Sequence, residues 1–176
     1  MNHLPVKNGQ KITIVGILLV FCTMLSSCGI YTFRDVSIPD TIKTIKINYI
    51  ENRASIINPQ LSPKLTDQFK QTVQSYIRKA TLVNTDNADY IINSYISNYS
   101  VSTSGIGTSQ ATTNRLTVGV TMTLNNTVKG ESHDYSISRD FDFSASLTLT
   151  QAENQLLPDI LKNLSDEMFN RIFSSW

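Results

Sequence analysis

A few groups of residues have the types and spacing that chemistry needs. Ser132, His133 and Asp134 offer a hydroxyl, an imidazole and a carboxylate in consecutive positions, the components of a nucleophilic triad. Successive residues of a strand point to opposite faces, so these side chains are expected to diverge, with His133 an exposed turn residue. Asp140 and Asp142 share one strand face at a spacing of two, and such a pair can move protons or hold a hard cation. Flanked by Arg139 and opposed to a phenylalanine face, they read instead as the solvated side of an amphipathic strand. Asp86 and Asp89 read as caps of the turn before the second strand. The sequence has no glycine-rich phosphate loop, metal-ligand spacing or nucleotide fingerprint. No catalytic residue, metal or cofactor is therefore expected, and the chain does not read as an enzyme.

Cys28 offers covalent chemistry of another kind. Lys7 and Lys11 lead into Ile12 to Leu25, an uncharged stretch rich in Ile, Leu and Val that stops at Ser26 and Ser27. A basic start, a short apolar core and small residues at its end describe a secretory signal peptide. A membrane span needs about 20 apolar residues, more than this run supplies. Leu25-Ser26-Ser27-Cys28 resembles the bacterial lipobox, which is cut just before a cysteine whose sulfur then carries a diacylglycerol. At about 0.8 kcal/mol per buried CH₂, two or three acyl chains (palmitate among them) hold a protein stably where one does so only reversibly. Residues 1–27 are thus expected to be a signal peptide and residues 28–40 a lipidated tether.

Cys22 leaves with the signal peptide, so no internal disulfide can form and the body must fold on its core alone. About 149 residues remain, enough for one ordinary core. Without Lys7 and Lys11, 13 basic residues face 14 acidic ones. Nucleic acid, which demands a dense basic footprint, is not an expected partner.

The positioning elements follow from periodicity. Thr41 to Ile50 alternates with Ile45, Ile47 and Tyr49 on one face, a half-buried strand, with Ile42 and Ile50 on the other. Ser62 and Pro63 are placed to cap and begin a helix over about 63–80, striped by Leu65, Phe69, Val73, Tyr76, Ile77 and Ala80. Tyr90 to Val101 is a strand apolar on both faces. The small polar stretch from Ser102 to Asn114 reads as a long loop. Leu116, Val118, Val120, Met122 and Leu124 alternate with Thr117, Gly119, Thr121, Thr123 and Asn125. A turn with Gly130 then joins this strand to a second, 133–145, as a hairpin. Arg139 has the parity of that strand's apolar set, which suggests a bulge, an edge position or a snorkelling side chain. Thr150 and Glu153 fit a capping box for a last helix that Pro158 should kink or restart. The order β-α-β-β-β-α predicts an α+β fold, a two-layer sandwich with two helices on one face of a four-stranded mixed sheet. Residues 41–176 form this single domain.

In that order, the lipobox, GIYTF, IKTIKINYIENRA, LSPKLTDQFKQTV, NADYIINSYISNYSV, NRLTVGVTMTLNN and DEMFNRIFSSW resemble the LPS-assembly lipoprotein LptE family as found in Bacteroidetes. The resemblance covers essentially all of the chain after the signal peptide. It implies two helices on a four-stranded sheet, anchored at the periplasmic face of the outer membrane. It further implies an LptD-type outer-membrane β-barrel as partner, which the protein plugs and helps to fold, and lipopolysaccharide as the material inserted into the outer leaflet. The stretch 102–114, with Ser104 and Thr108, would then reach into the barrel. Arg115 would stand at its base, able to grip a phosphate or carboxylate, and Thr117, Thr121 and Thr123 would line the contact face. No motif here matches the family's lipopolysaccharide-contacting residues. A pilotin-like assembly lipoprotein for another channel would share the tether and the sandwich, and a lipid or small-ligand carrier would need a cavity between sheet and helices.

Overall fold

The computed structural model describes residues 38–106 and 111–174. The expected signal peptide, Cys28 and most of the tether lie outside the described residues, as does Thr108. The last tether residues do not hang free: Ile38 is buried at 3% exposure and packs in the core.

The first expected strand is two short ones. β1 (Thr44–Ile47) pairs parallel with residues 90–92 and β2 (Glu51–Asn52) with residues 95–96 of a later strand. Four steps separate Ile47 from Glu51, against three between their partners Ile92 and Tyr95. The extra residue reverses the alternation. Ile50 therefore turns into the core, and Tyr49, expected beside Ile45 and Ile47, turns to solvent at 56% exposure.

Helix α1 (Leu61–Tyr76) begins earlier than the expected Ser62 cap. Asn58 shapes the entry by accepting from the Gln60 amide at 2.9 Å, whereas Ser62 lies buried inside the first turn. The helix also stops short of residue 80. Ile77 becomes extended and buried, and the chain then forms an unexpected two-residue strand, β3 (Thr81–Leu82), parallel to β1.

β4 (Tyr90–Ile106), β5 (Ala111–Asn126) and β6 (Glu131–Ser144) make the antiparallel meander. The expected loop over 102–114 is mostly strand, with Ser102 opposite Arg115 and Thr103 opposite Asn114. Hydroxyl-rich strands extend there because the ladder established by their apolar halves continues past the core, so low hydrophobicity did not mean loop. A register shift between Ile96 and Asn98 explains the doubly apolar look of β4. Beyond it Tyr99 shares the buried face of Tyr90, Ile92 and Ile96. Gly119 sits opposite this bulge, where a Cβ would come within 3.1 Å of Asn98 Cβ. Gly130 closes the β5–β6 turn with φ of 70°, a left-handed conformation that suits glycine.

Helix α2 (Leu149–Phe173) opens with a capping box, but Thr148 and Gln151 form it, two residues before the expected pair. The helix continues through Pro158 without restarting. Pro158 and Asn154, whose carbonyl loses its intrahelical donor, are both exposed, so the break in the ladder faces solvent.

The sheet order is β3-β1-β4-β5-β6, with β2 also on β4. The expected architecture stands, with six strands rather than four because two-residue pieces flank β1. Both helices pack on one face. Leu65, Phe69 and Val73 of α1 and Leu164, Met168 and Ile172 of α2 meet Ile92, Ile96 and the even residues 116–124 of β5. Each such side chain stabilises the fold by about 1.5–3 kcal/mol through burial. Thr72 Oγ1 donates to Ser165 Oγ at 3.2 Å between the helices.

Candidate functional site

The other face of the sheet is covered by neither helix, and its side chains bond to one another. Setting Asn126 opposite Glu131 places each odd residue of β5 beside an even residue of β6. Arg115 donates to both carboxylate oxygens of Asp142, at 2.7 and 3.0 Å, and its third nitrogen lies 3.6 Å from Asp140. Thr117 donates to Asp140 at 2.7 Å and Thr123 to Asp134 at 2.6 Å. Thr121 and Ser136 lie 3.4 Å apart, and Ser132 donates to Asn125 at 2.8 Å. These are cross-strand rungs, and they hold both partners in single orientations.

The Arg115 guanidinium, through its hydrogen bonds, holds the Asp142 carboxyl below the usual carboxylate range, against the smaller upward push of desolvation. Arg115, expected to await a ligand, is thus already gripped by Asp142 at the open edge of a half-exposed ladder. Ser104 lies in β4, not in a loop, and its hydroxyl donates to the Thr113 carbonyl at 3.4 Å. The structure therefore brings Arg115, Thr117, Thr121 and Thr123 together on one face, with Ser104 further along the same hairpin.

Residues that the sequence reading left out complete this face. Asn48 donates to Asn93 Oδ1 at 2.7 Å, and the Arg53 guanidinium stacks 4.4 Å from the Tyr95 ring centre while chelating Glu51 at 2.8 and 2.9 Å. With Tyr49 and Thr123 they line a depression of about 490 Å³. Asp140 and Asp142 are expected on the solvated side of the strand and Asp134 only as a diverging neighbour of His133, yet the hairpin register carries the signal that pairs all three.

Other candidates resolve separately. Ser132 and Asp134 lie on the uncovered face and His133 on the helix side, so the three diverge. Among the described residues no group of acidic, histidine or cysteine side chains is arranged to hold a metal ion. Asp89 does more than cap a turn. Its Oδ2 accepts from the Lys43 and Thr44 amides at 2.7 and 2.9 Å, which lowers its pKa, and its own amide donates to Thr44 Oγ1 at 3.0 Å. Asp86 pairs with Lys46 at 2.5 Å. Tyr99 donates to Glu153 at 2.6 Å; burial, then that hydrogen bond, push its hydroxyl's pKa up and keep it a donor. Arg139 lies on the helix-side parity of the edge strand and pairs with Glu167 of α2; of the three readings open for it, it takes the edge position.

Known proteins share this fold. The model of the LptE family, described as lipopolysaccharide-assembly, matches residues 42–172, from before β1 to the last turn of α2. The chain belongs to the LptE family. The family's role is lipopolysaccharide assembly by non-enzymatic lipoproteins. No curated protein matches the chain. Among solved structures, the LptE-family fold seen here is similar to a minor lipoprotein of Acinetobacter baumannii, at 15% identity and a TM-score of 0.51 over 76% of this chain and 94% of that one. It is similar to an uncharacterized lipoprotein B of Nitrosomonas europaea, at 13% identity and a TM-score of 0.53 over 81% and 88% of the two chains. The rare lipoprotein B of Shewanella oneidensis aligns at 15% identity and a TM-score of 0.47 over 74% and 92%. At such identities the first two show a shared fold.

Proposed function

We propose that this LptE-family chain is an outer-membrane lipoprotein, anchored through acylated Cys28 at the periplasmic face, whose body seats in the lumen of an LptD-type β-barrel. There it assists the barrel's assembly and the insertion of lipopolysaccharide into the outer leaflet. The observation that carries the reading is the uncovered face of β4–β6. A barrel lumen is polar, and a rung-bonded surface of Thr, Ser, Asn and Asp enters it with its side chains already oriented, so little ordering entropy opposes docking. Thr117, Thr121, Thr123 and Arg115 are the contact residues of this proposal, together with Ser104 and Thr108. The carrier alternative needs space between sheet and helices, which Phe69, Tyr90, Met122 and Phe173 fill as fully buried side chains.

The test is a mild-detergent pull-down of the tagged, full-length chain from its native membranes, with mass spectrometry of its companions. A stoichiometric large barrel of the LptD type, crosslinked by photoreactive residues at positions 117 and 121, supports the plug. Recovery alone, or with a different channel, overturns it. Cys28→Ala is expected to leave the precursor unacylated, and an unchanged lipid-modified N-terminus would sink the tether.

A further inference from the structure

β6 terminates the sheet, and among the described residues no strand pairs with its outer edge. This edge runs for 14 residues without a proline. Unpaired amides and carbonyls in such a row are a template for another strand. The charges beside the edge decide which strand fits. On the uncovered face of β5 and β6, Asp134, Asp140 and Asp142 stand along β6, with Ser136 and Ser138 between the first two, against the single cation of Arg115. Arg115 also shows how the face is used, since a guanidinium on the neighbouring strand spans to Asp142 and approaches Asp140. Thr117 and Thr123 each occupy one oxygen of Asp140 and Asp134 from the β5 side. On the helix side of the same edge the charges balance, because Arg139 and Arg171 line a groove of about 380 Å³ with Asp166 and Glu167. Selectivity therefore resides on the uncovered face.

The same carboxylates oppose self-association. An antiparallel pairing of two copies about Ser138 would set Asp134 of each opposite Asp142 of the other, and like charges directly opposite are destabilising.

We infer that the outer edge of β6 accepts an extended strand of a cationic partner polypeptide, one with Lys or Arg at alternate positions, as a further strand of the sheet. The inference stands on the edge and its charges, not on the barrel reading, and either can fail without the other.

The experiment uses the full chain in mild detergent and amide hydrogen exchange as readout. The probe is a synthetic peptide of about twelve residues alternating Lys and Thr, a length that matches the edge. Two controls accompany it, one with Glu for Lys and one with alternate backbone amides N-methylated. The Lys peptide is expected to slow exchange within residues 131–144 by about tenfold or more, and both controls to leave it unchanged. The double variant Asp134→Asn, Asp140→Asn keeps side-chain size and one acceptor oxygen for each threonine, and is expected to bind the Lys peptide about tenfold more weakly. Its unliganded exchange pattern, matched to the parent, reports that the fold is intact. No protection at millimolar peptide, equal protection by the Glu peptide, or binding that survives N-methylation would each overturn the inference. Protection confined to residues 98–106 would do the same.

Discussion

The two faces of β5 are made from alternate residues of one strand, yet different forces order them. Leu116, Val118, Val120, Met122 and Leu124 are fully buried under the helices, and their order comes from exclusion of water and close packing. Arg115, Thr117, Thr121 and Thr123 remain half-exposed, and their order comes from hydrogen bonds to β6. The first face supplies most of the stability. The second supplies a surface whose orientations are set before a partner arrives.

Substitutions sharpen this contrast. Leu116→Ala should cost the most, about 2–5 kcal/mol, because it opens a cavity in the core; the urea midpoint of unfolding reads it. Asp89→Ala should follow at about 1.5–3 kcal/mol, since it strands the Lys43 and Thr44 amides. Asp89 adds a pH signature. Its folded pKa is lowered by those backbone hydrogen bonds, so its contribution is complete above the unfolded value near 4 and is lost as pH falls through the folded one. Asp89→Asn is therefore expected to flatten the decline of stability in acid below about pH 4, and a melting series across that range checks it. Gly119→Val should cost about 1–3 kcal/mol, because its Cβ presses on Asn98 at the bulge. Thr121→Ala, two residues away on the same uncovered face, should stay within about 0.5 kcal/mol while weakening capture of the proposed barrel partner. A cost for Thr121→Ala comparable to that of Leu116→Ala would erase the distinction between the faces.

Most of the architecture was legible in the sequence because it rests on periodicity. The alternation in β5 and the helical stripes of α1 and α2 survive in the structure with small shifts of their ends. Parity changes were not legible. The extra residue between Ile47 and Glu51 and the bulge after Ile96 each reverse which residues face inward, and no composition marks them. They misplaced Tyr49 and made β4 look apolar on both sides. The polar ends of β4 and β5 read as loop because strand signals weigh hydrophobicity, whereas their pairing is inherited from the core. The Thr row was found, but its partners were not. Counting outward from the Asn126–Glu131 turn would have set Thr117 beside Asp140 and Thr123 beside Asp134, since hairpin register follows from turn length.

The clamp at Asp89 has a mechanical side. The chain enters the body just ahead of β1, where the Lys43 and Thr44 amides are held by a carboxylate at the start of β4, and where Thr127 closes the β5–β6 turn against the Asp89 carbonyl at 2.9 Å. A force directed along β1, parallel to β4, would thus shear their ladder, with several hydrogen bonds sharing the load rather than being peeled one at a time. Residues 102–106 lie at the far end of β4 from this grip. Such a load would reach them only through the length of the sheet, so one end of β4 can be held while the other is undisturbed.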